Sequence, residues 1–516
     1  MELYDAWDNT NSGNGYTHYS PKSASRIDRI YLSRTFLQNK SGIETRVVAC
    51  TDHLAVIVRM GIDRQLPTIG RGYWKMNTSL LNTMAFVAEL KSCWSKWQDH
   101  KKYYSNITLW LCRYVKRMIR THFICEGKNR TKDQRHLENF YYETIYSILE
   151  TTPPLTERAY IKLKKLKAKI VRIHNSCHGK LLLNLEEHDR DNEDIPSLYH
   201  LLKHRKRQAI EAIPQVRDGM HNIQSTPYAT LRVFTTEMKN KYSTILPKGN
   251  SIKHLLRHVC KKLPTTAMTE LEVPLSMDEL HHAIKQGKKG KSPEFDGISH
   301  DFFQVTWDFV KDNMLQIFSH MYMEEGIETS QKHGIIICLP KHGNPVTTDD
   351  YRPLTLLNSD YKILARILAN RIRPWIKDIL HPSQHCGVGD NNILTALSAL
   401  RDTIAHAECS NESTCLLSLD FKGAFDKISH TCLLETMKAY GFSESMCKRV
   451  YNLYDKATSS VSINGHISSP FPIRCSIRQG CPLSMMLFTI CLDPFLRLLD
   501  DTLNDAPTRR RKREQL

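Results

Sequence analysis

No uninterrupted apolar run among the 516 residues reaches the roughly 18 that a membrane-spanning helix needs, and the longest candidate, Met485 to Leu492, reads as a buried element. The chain does not open on a charged-then-apolar signal either. Met1-Glu2-Leu3-Tyr4-Asp5 is acidic and soon turns polar, which argues against export. Fifteen cysteines are present, but none form a C-x-x-C pair and their spacing is irregular, so they read as reduced, mostly buried thiols rather than a disulfide framework. His174, Cys177 and His178 stand close enough to suggest zinc, yet no second ligand pair follows at a matching interval. An ordinary helix end is the plainer reading. There is no internal repeat, and the one biased tract, Arg509 to Arg513, reads as a disordered end, with nuclear import as the lesser alternative.

What the chain has is length and positive charge. With 41% hydrophobic residues it can build two or three globular units. A formal charge of +18 favours polyanionic partners through counterion release, nucleic acid first and an anionic membrane surface second. To about Met60 the pattern is β-rich, with strands expected at Arg26 to Leu32 and Leu54 to Val58. From Trp74 it turns helical: Leu137, Tyr141, Ile145 and Ile148, then Leu155, Ala159, Leu163, Leu166, Ile170 and Ile173, recur every three or four residues, with Pro153-Pro154 between the two helices. Lys162, Lys164, Lys165, Lys167, Lys169 and Arg172 form either a phosphate-facing stripe or a solvated face, the second being the commoner case. A basic cluster, His204 to Arg207, precedes a polar stretch to about Asn250. Beyond it, strands such as Gly334 to Leu339 and Cys415 to Leu419 alternate with helices such as Asp360 to Trp375.

The strongest chemical signal is Leu417-Ser418-Leu419-Asp420-Phe421-Lys422-Gly423-Ala424-Phe425-Asp426. An apolar strand is expected to deliver Asp420 to its end, where a lone carboxylate suits Mg²⁺, an ion that takes few protein oxygens and leaves room for phosphates. Gly423 and Ala424 would let backbone N–H groups approach a triphosphate. By itself such an Asp is as readily an N-cap. Some fifty residues on comes Arg478-Gln479-Gly480-Cys481-Pro482 before a buried helix, and upstream lie Leu339-Pro340-Lys341-His342-Gly343 and Tyr351-Arg352-Pro353-Leu354-Thr355. A Gly/Pro turn thus separates two cations suited to a polyphosphate.

These blocks, in this order, resemble the fingers and palm motifs of LINE-type (non-LTR) retrotransposon reverse transcriptases, with further matches at Lys291-Ser292-Pro293 to Asp296-Gly297 and at His381-Pro382-Ser383-Gln384. The resemblance spans roughly Met268 to Leu499. It implies that Asp420 is the first metal-binding catalytic carboxylate, with the Phe421 carbonyl beside it, for Mg²⁺ or Mn²⁺. Lys341 and Arg352 would contact the triphosphate, Phe425 would close the pocket beneath the sugar, and Gln479 with Gly480 would line the nucleotide site. Asp426 is nearer a helix-start carboxylate that organises the loop. The family's two-metal chemistry also uses a Tyr/Phe-x-Asp-Asp hairpin after the Gln-Gly block, which these residues do not contain. Asp500-Asp501 reads as a solvated helix terminus. Two departures, Glu294 in the Pro293-to-Gly297 turn and Cys386 to Asn392 without the expected Arg, put binding by the fingers in doubt.

The front end resembles the endonuclease/exonuclease/phosphatase family in two motifs, Ser25-Arg26-Ile27-Asp28 and Cys50-Thr51-Asp52-His53. That likeness implies that His53 acts at a scissile phosphate, oriented by Asp28, with Asp52 in support, while the family's metal-binding Glu and Asn are absent from the sequence. The expected fold is therefore α+β: residues 1–62 as a β-rich remnant of a four-layer αββα nuclease, 63–250 as a basic helical linker, 251–500 as an incomplete right-hand polymerase (fingers and partial palm), and 501–516 as a basic tail. The expected partners are an RNA template and a DNA primer or target, with no membrane, at a nuclear and cytoplasmic rather than secreted location. The alternative is a non-catalytic nucleic-acid-binding fragment of a retroelement, and loss of polymerase activity is the expectation.

Overall fold

The chain folds into two packing units whose boundaries do not follow composition. The computed structural model describes residues 2–7, 16–49, 51–61, 69–150, 155–190, 213–243, 249–291, 293–323, 326–387, 393–410 and 415–504, with side chains to Asn175 in the helix Glu157–Arg190 and to Thr502 in the last helix. The basic cluster His204 to Arg207, the tail Arg509 to Arg513, Pro153-Pro154, Gly389 to Asn392, and the side chains of Cys177 and His178 therefore lie outside the described residues. One unit comprises residues 1–66 and 124–208, the other 67–123 and 209–516.

In the first unit, β1 (Leu3–Asp5) pairs antiparallel with β4 (Tyr31–Ser33), β2 (His18–Tyr19) with β3 (Ala24–Ser25), and β5 (Lys40–Val47) with β6 (Leu54–Met60). The strand expected over Arg26 to Leu32 forms only at its end. Residues 26–30 have no ladder, because the N–H groups of Ile27 and Asp28 go instead to the Thr17 hydroxyl (3.2 and 3.1 Å), and a side-chain acceptor here replaces the neighbouring strand. The two long helices exist as the spacing implies, Lys116–Leu149 and Glu157–Arg190. Ile145, Ile148, Leu155, Leu163, Leu166 and Ile170 bury one face against Val47 and Leu54 of the β5–β6 pair. On the second helix Lys162, Lys164, Lys165, Lys169 and Arg172 are exposed, whereas Lys167 turns inward and donates to the Thr51 carbonyl at 2.8 Å.

The second unit is mixed α and β, and includes the short antiparallel pair β7 (Val216–Arg217) and β8 (Ile223–Gln224). Its sheet runs β10 (Tyr351–Leu357), β9 (Gly334–Pro340), β11 (Thr458–Ile463), β12 (His466–Ile467), with β13 (Phe471–Pro472) also on β11. β9 is antiparallel to β10 over seven residue pairs and parallel to β11. The helix Pro227–Lys241 packs on β11, and a larger helical core includes Trp307–Met323, Ser359–Ile372, and Ser484–Asn504, which carries Pro494 inside it and Asp500 and Asp501 exposed near its end. Residues 67–123, which composition placed in a linker, are part of this core. Trp94 and Trp110 are almost fully buried among residues of 263–491. Trp94 Nε1 donates to Asn313 Oδ1 at 2.9 Å, and Met76 N donates to the Gly297 carbonyl at 2.9 Å. The turn at Gly297 has φ +77°, and a Cβ there would come within 2.1 Å of the Trp74 ring, so only glycine lets the two segments close.

Beneath that turn lies a buried charge cluster. Lys116 Nζ stands 2.7 Å from both Asp296 Oδ2 and Asp360 Oδ2, and Gln331 Nε2 donates to the same Asp360 oxygen at 2.7 Å. Burial works against the ammonium, but Asp296 and Asp360 outweigh it and hold Lys116 charged, well above its ordinary range. Burial in turn raises Asp296, which Lys116 only partly offsets. Glu294, the unexpected residue of this turn, is accommodated. It is buried, ion-paired with Lys362 and bonded by the Ser359 hydroxyl at 3.0 Å. Breaking a buried ion pair by removing one partner costs about 3–5 kcal/mol because the remaining charge is stranded. Lys116→Met should therefore lower the urea stability of this unit by about 3–5 kcal/mol, and Asp296→Asn with Asp360→Asn in the same background should recover part of the loss. A Lys116→Met protein as stable as the parent would show that the cluster is not a structural anchor.

Candidate functional site

A cleft of about 960 Å³ opens beside the β9–β10 pair, and Lys341, Arg352, Asp420, Phe421, Phe425 and Gln479 all line it. Sequence blocks up to 138 positions apart (479 minus 341) thus meet in one place. Lys341 follows directly on β9. Its N–H donates to the Asp350 carbonyl at 2.8 Å and its Nζ to the Asp349 carbonyl at 2.7 Å, which leaves ammonium donors for a ligand. Arg352, second in β10, is exposed, and among the described residues no carboxylate pairs with it.

Asp420 is not where a strand would put it. Residues 415–420 form no regular structure, pair with no strand among the described residues, and expose Leu416, Leu417 and Leu419 by 67%, 75% and 57%. An apolar segment becomes a strand only when a neighbour takes its backbone donors and acceptors, and none of the sheet's registers includes it. The Asp420 carboxylate is exposed and makes no hydrogen bond or ion pair among the described residues.

Beyond Asp420 the backbone closes into a tight turn, where the Gly423 carbonyl accepts from Asp426 N (3.0 Å) and Lys427 N (3.2 Å). Lys422 Nζ holds Asp349 Oδ2 at 2.8 Å and keeps that carboxyl below its usual range. Asp426, only 2% exposed, points inward to Lys241 Nζ at 2.8 Å and accepts from the Tyr242 hydroxyl at 3.2 Å. Burial first, then Asp426, pushes the Tyr242 phenol far above its usual value. Asp426 is committed to this network while Asp420 is free. Phe425 stacks on Phe488 (centroids 4.5 Å apart, planes at 18°), and its carbonyl accepts from Ile477 N at 2.8 Å. The ring is held on one face by Phe488, and its backbone by Ile477.

Gln479 is positioned by the β10 backbone, since Thr355 N donates to its carbonyl at 3.0 Å. Gly480 does not line the cleft. Its φ is +111°, and a Cβ would sit 2.5 Å from the Thr355 carbonyl oxygen, so it allows the loop to lie flat on the strand. Arg478, read as a polar loop residue, is buried. It donates to the carbonyls of Lys332 (2.5 Å) and Thr458 (3.2 Å) under the Tyr361 ring. The sequence reading also missed Lys241, Tyr242, Asp349 and Lys422. For the first two a signal existed: Leu231, Phe234, Met238 and Tyr242 repeat at intervals of three and four after the Thr226-Pro227 helix start.

In the other unit, the His53 ring donates from Nδ1 to Asp28 Oδ2 at 2.7 Å. His18 stands 5.2 Å away, ring to ring, and Asp52 lies at 3.6 Å from His18 Nε2 and 3.9 Å from His53 Nε2. Thr17 and then His53 hold the Asp28 carboxyl below its ordinary range. The three residues singled out from sequence are therefore neighbours, joined by a histidine not anticipated.

Residues 339–508 match the profile of the family described as reverse transcriptase (RNA-dependent DNA polymerase). Over 489 residues, 92% of the chain, the protein is 25% identical to an uncharacterized 149 kDa protein of transposon TX1 from Xenopus laevis, covering 36% of it. It is 27% identical over 231 residues to the retrovirus-related Pol polyprotein from type-1 retrotransposable element R2 of Popillia japonica (44% of this chain, 31% of that protein). It is 24% identical over 311 residues to the RNA-directed DNA polymerase from mobile element jockey of Drosophila melanogaster (58% and 33%). The chain thus spans about a third of the length of these relatives.

The support beneath the Gln479 loop is acid-sensitive. His333 Nδ1 is hydrogen-bonded to the Thr458 hydroxyl at 2.9 Å, and burial, then Arg478, lowers its pKa to about 4. Burial likewise lowers His430, whose Nε2 donates to the Ser476 carbonyl at 3.1 Å. An unfolded His takes up its proton near pH 6.5, while folded His333 resists until about 4, so the unfolded state binds more protons in between and stability falls as pH falls. From pH 6.5 to 4, His333 alone should cost on the order of 2–3 kcal/mol. Denaturant midpoints measured across that range should fall less steeply in His333→Gln, and equal slopes would refute the assignment.

Proposed function

Because the chain carries a reverse transcriptase domain homologous to the RNA-directed DNA polymerases of non-LTR retrotransposons, we propose that its cleft is the nucleotide half of a polymerase site, built by fingers and a partial palm. The observation that carries this reading is the convergence on one cleft of Lys341, Arg352, the ring of Phe425 and the Asp420 carboxylate, which has no partner among the described residues. Lys341 and Arg352 neutralise a triphosphate, the guanidinium by paired donors and the ammonium as a point charge. Phe425, its ring stacked on Phe488 and its backbone held by Ile477, presents a face beneath the sugar, where a 2′-hydroxyl would be crowded. Gln479, fixed by Thr355, lines the base side. The RNA template and the DNA primer or target belong to the same proposal.

The donor set suits a hard cation: Asp420 is exposed with no competing partner among the described residues, and Phe421, which carries the neighbouring carbonyl oxygen, also lines the cleft. These two oxygens would hold Mg²⁺ or Mn²⁺, which, when bound, supplies charge stabilisation for a transferring phosphoryl group. Asp426 is not available for that task, since Lys241 and Tyr242 occupy its oxygens. The exposed segment Leu416 to Leu419 reads as a palm strand whose partner hairpin, with the second carboxylate pair, is not among these 516 residues. A polypeptide of these residues binds template and nucleotide but does not extend a primer.

A second reading applies to the other unit alone and rests on the Asp28–His53 contact: it is a remnant of an endonuclease/exonuclease/phosphatase domain. His53 there is oriented as a phosphate-directed group, but the Glu and Asn that would complete that family's metal site are not in the sequence. The chain should leave supercoiled plasmid intact in Mg²⁺ or Mn²⁺, and nicking that disappears in His53→Ala would overturn this.

The polymerase reading is tested by restoration. Purified protein of these residues should bind a template–primer with an affinity that drops steeply with salt and give no extension. Fusing a related element's palm hairpin and thumb after Leu499 should produce Mg²⁺- or Mn²⁺-dependent extension, and Asp420→Asn should abolish it, a fall of several orders of magnitude as expected for loss of charge stabilisation in phosphoryl transfer. Phe425→Ala should keep extension while admitting ribonucleotides. Extension by the unfused protein, or a fused protein indifferent to Asp420→Asn, would refute the residue assignments.

A further inference from the structure

Three side chains with metal-ligand chemistry converge on two helices that the cleft does not use. Glu89 and Cys93 stand four residues apart on Met84–Gln98, hence on one face and one turn apart, and His122 comes from the first turns of Lys116–Leu149. One ligand atom of each lies within 4.8 Å of the other two. Glu89 Oε1 and His122 Nε2 are 3.7 Å apart. That separation is too long for a hydrogen bond, but it is near the ~3.3–3.7 Å between ligand atoms of a tetrahedral zinc site, given bonds of about 2.0–2.3 Å.

A plain surface pair of histidine and glutamate explains less. His122 Nε2 is closed off from solvent and has no hydrogen-bond partner among the described residues, and a buried polar atom left so costs about 1–3 kcal/mol. The ring cannot easily turn the nitrogen elsewhere. It stacks on Phe86 (5.1 Å, 17°) and meets the edge of Trp97 (6.5 Å, 81°). Cys93 has no role in a histidine–carboxylate pair, and burial, with Glu89 beside it, holds its thiol above the ordinary range. A bound cation reverses that effect.

We propose that Glu89, Cys93 and His122 bind one zinc-class divalent cation, with three protein ligands and the fourth position left to water. A thiolate–imidazole–carboxylate set selects Zn²⁺ or Co²⁺ over the hard Mg²⁺, so this site is chemically separate from Asp420. On binding, the Cys93 S–H bond breaks, its proton goes to solvent and a sulfur–metal bond forms. No electron is transferred. The ion would pin the helix Met84–Gln98 to the helix that begins at Lys116. The proposal does not depend on the polymerase reading.

The test is Co²⁺ titration of the metal-stripped, full 516-residue protein. The expected result is uptake of one ion with a near-ultraviolet thiolate-to-cobalt absorption band, release of about one proton from the thiol, and displacement of the band by Zn²⁺. Cys93→Ser should remove the band while leaving far-UV dichroism and the metal-free urea midpoint unchanged. His122→Asn should weaken binding more than about 100-fold, since even outer partners of metal ligands are worth 10–100-fold. Should His122→Asn fail to fold, Glu89→Gln, at an exposed position, must weaken binding instead. A band that survives Cys93→Ser, or a wild-type protein that takes up no ion, would overturn the proposal.

Discussion

One buried ammonium fixes the frame on which the cleft is built. Lys116 comes from a segment that composition alone would set aside, Asp296 from a glycine-closed turn, and Asp360 from the start of the helix that follows β10. Taking three charges out of water is costly, and apolar replacements could be as stable or more so. What the cluster gives is register, since any slip of one segment strands a charge. β10 is caught between two such constraints: at its end the chain turns into the Asp360 helix, and in its middle Thr355 receives the Gln479 loop. Arg352 and Gln479 keep their spacing because the same strand carries one and holds the other.

The two aspartates six residues apart show how burial divides roles that look alike. Asp426 is enclosed and bonded to Lys241 and Tyr242, so its charge is already compensated and its oxygens are used. Asp420, a short way along the same chain, is solvated and has no partner among the described residues. A solvated carboxylate loses little on meeting an ion, whereas Asp426 would first have to give up a lysine. The turn at Gly423 separates the two environments.

Local patterns were legible and long-range partners were not. β9 follows from a short apolar run, β6 from alternation and the two long helices from apolar spacing of three and four, while the cleft-lining residues came from the blocks that carry the family resemblance. Trp94 and Trp110 were hidden because the segment around them is basic, and composition averages over a helix whose faces differ. Lys116 and Asp360 are 244 positions apart (360 minus 116), and nothing in either neighbourhood announces the other. Leu416 to Leu419 failed in the opposite way. Its pattern is that of a buried strand, but a strand is a property of two segments, and the sequence of one cannot show whether the second is present. The β-rich start at Arg26 was diverted by a single hydroxyl, Thr17, which no periodicity records.

The bare leucine segment has a consequence for how the polypeptide behaves in bulk solution. Cys415 to Leu419 is short, uncharged, free of proline and open along its backbone, the composition from which intermolecular β-stacking nucleates. An exposed segment of this kind can pair with its copy in a second molecule, so any self-association of the polypeptide is expected to begin at these five residues. Colloidal stability, on this view, is set at the rim of the cleft while the well-packed interior stays a bystander.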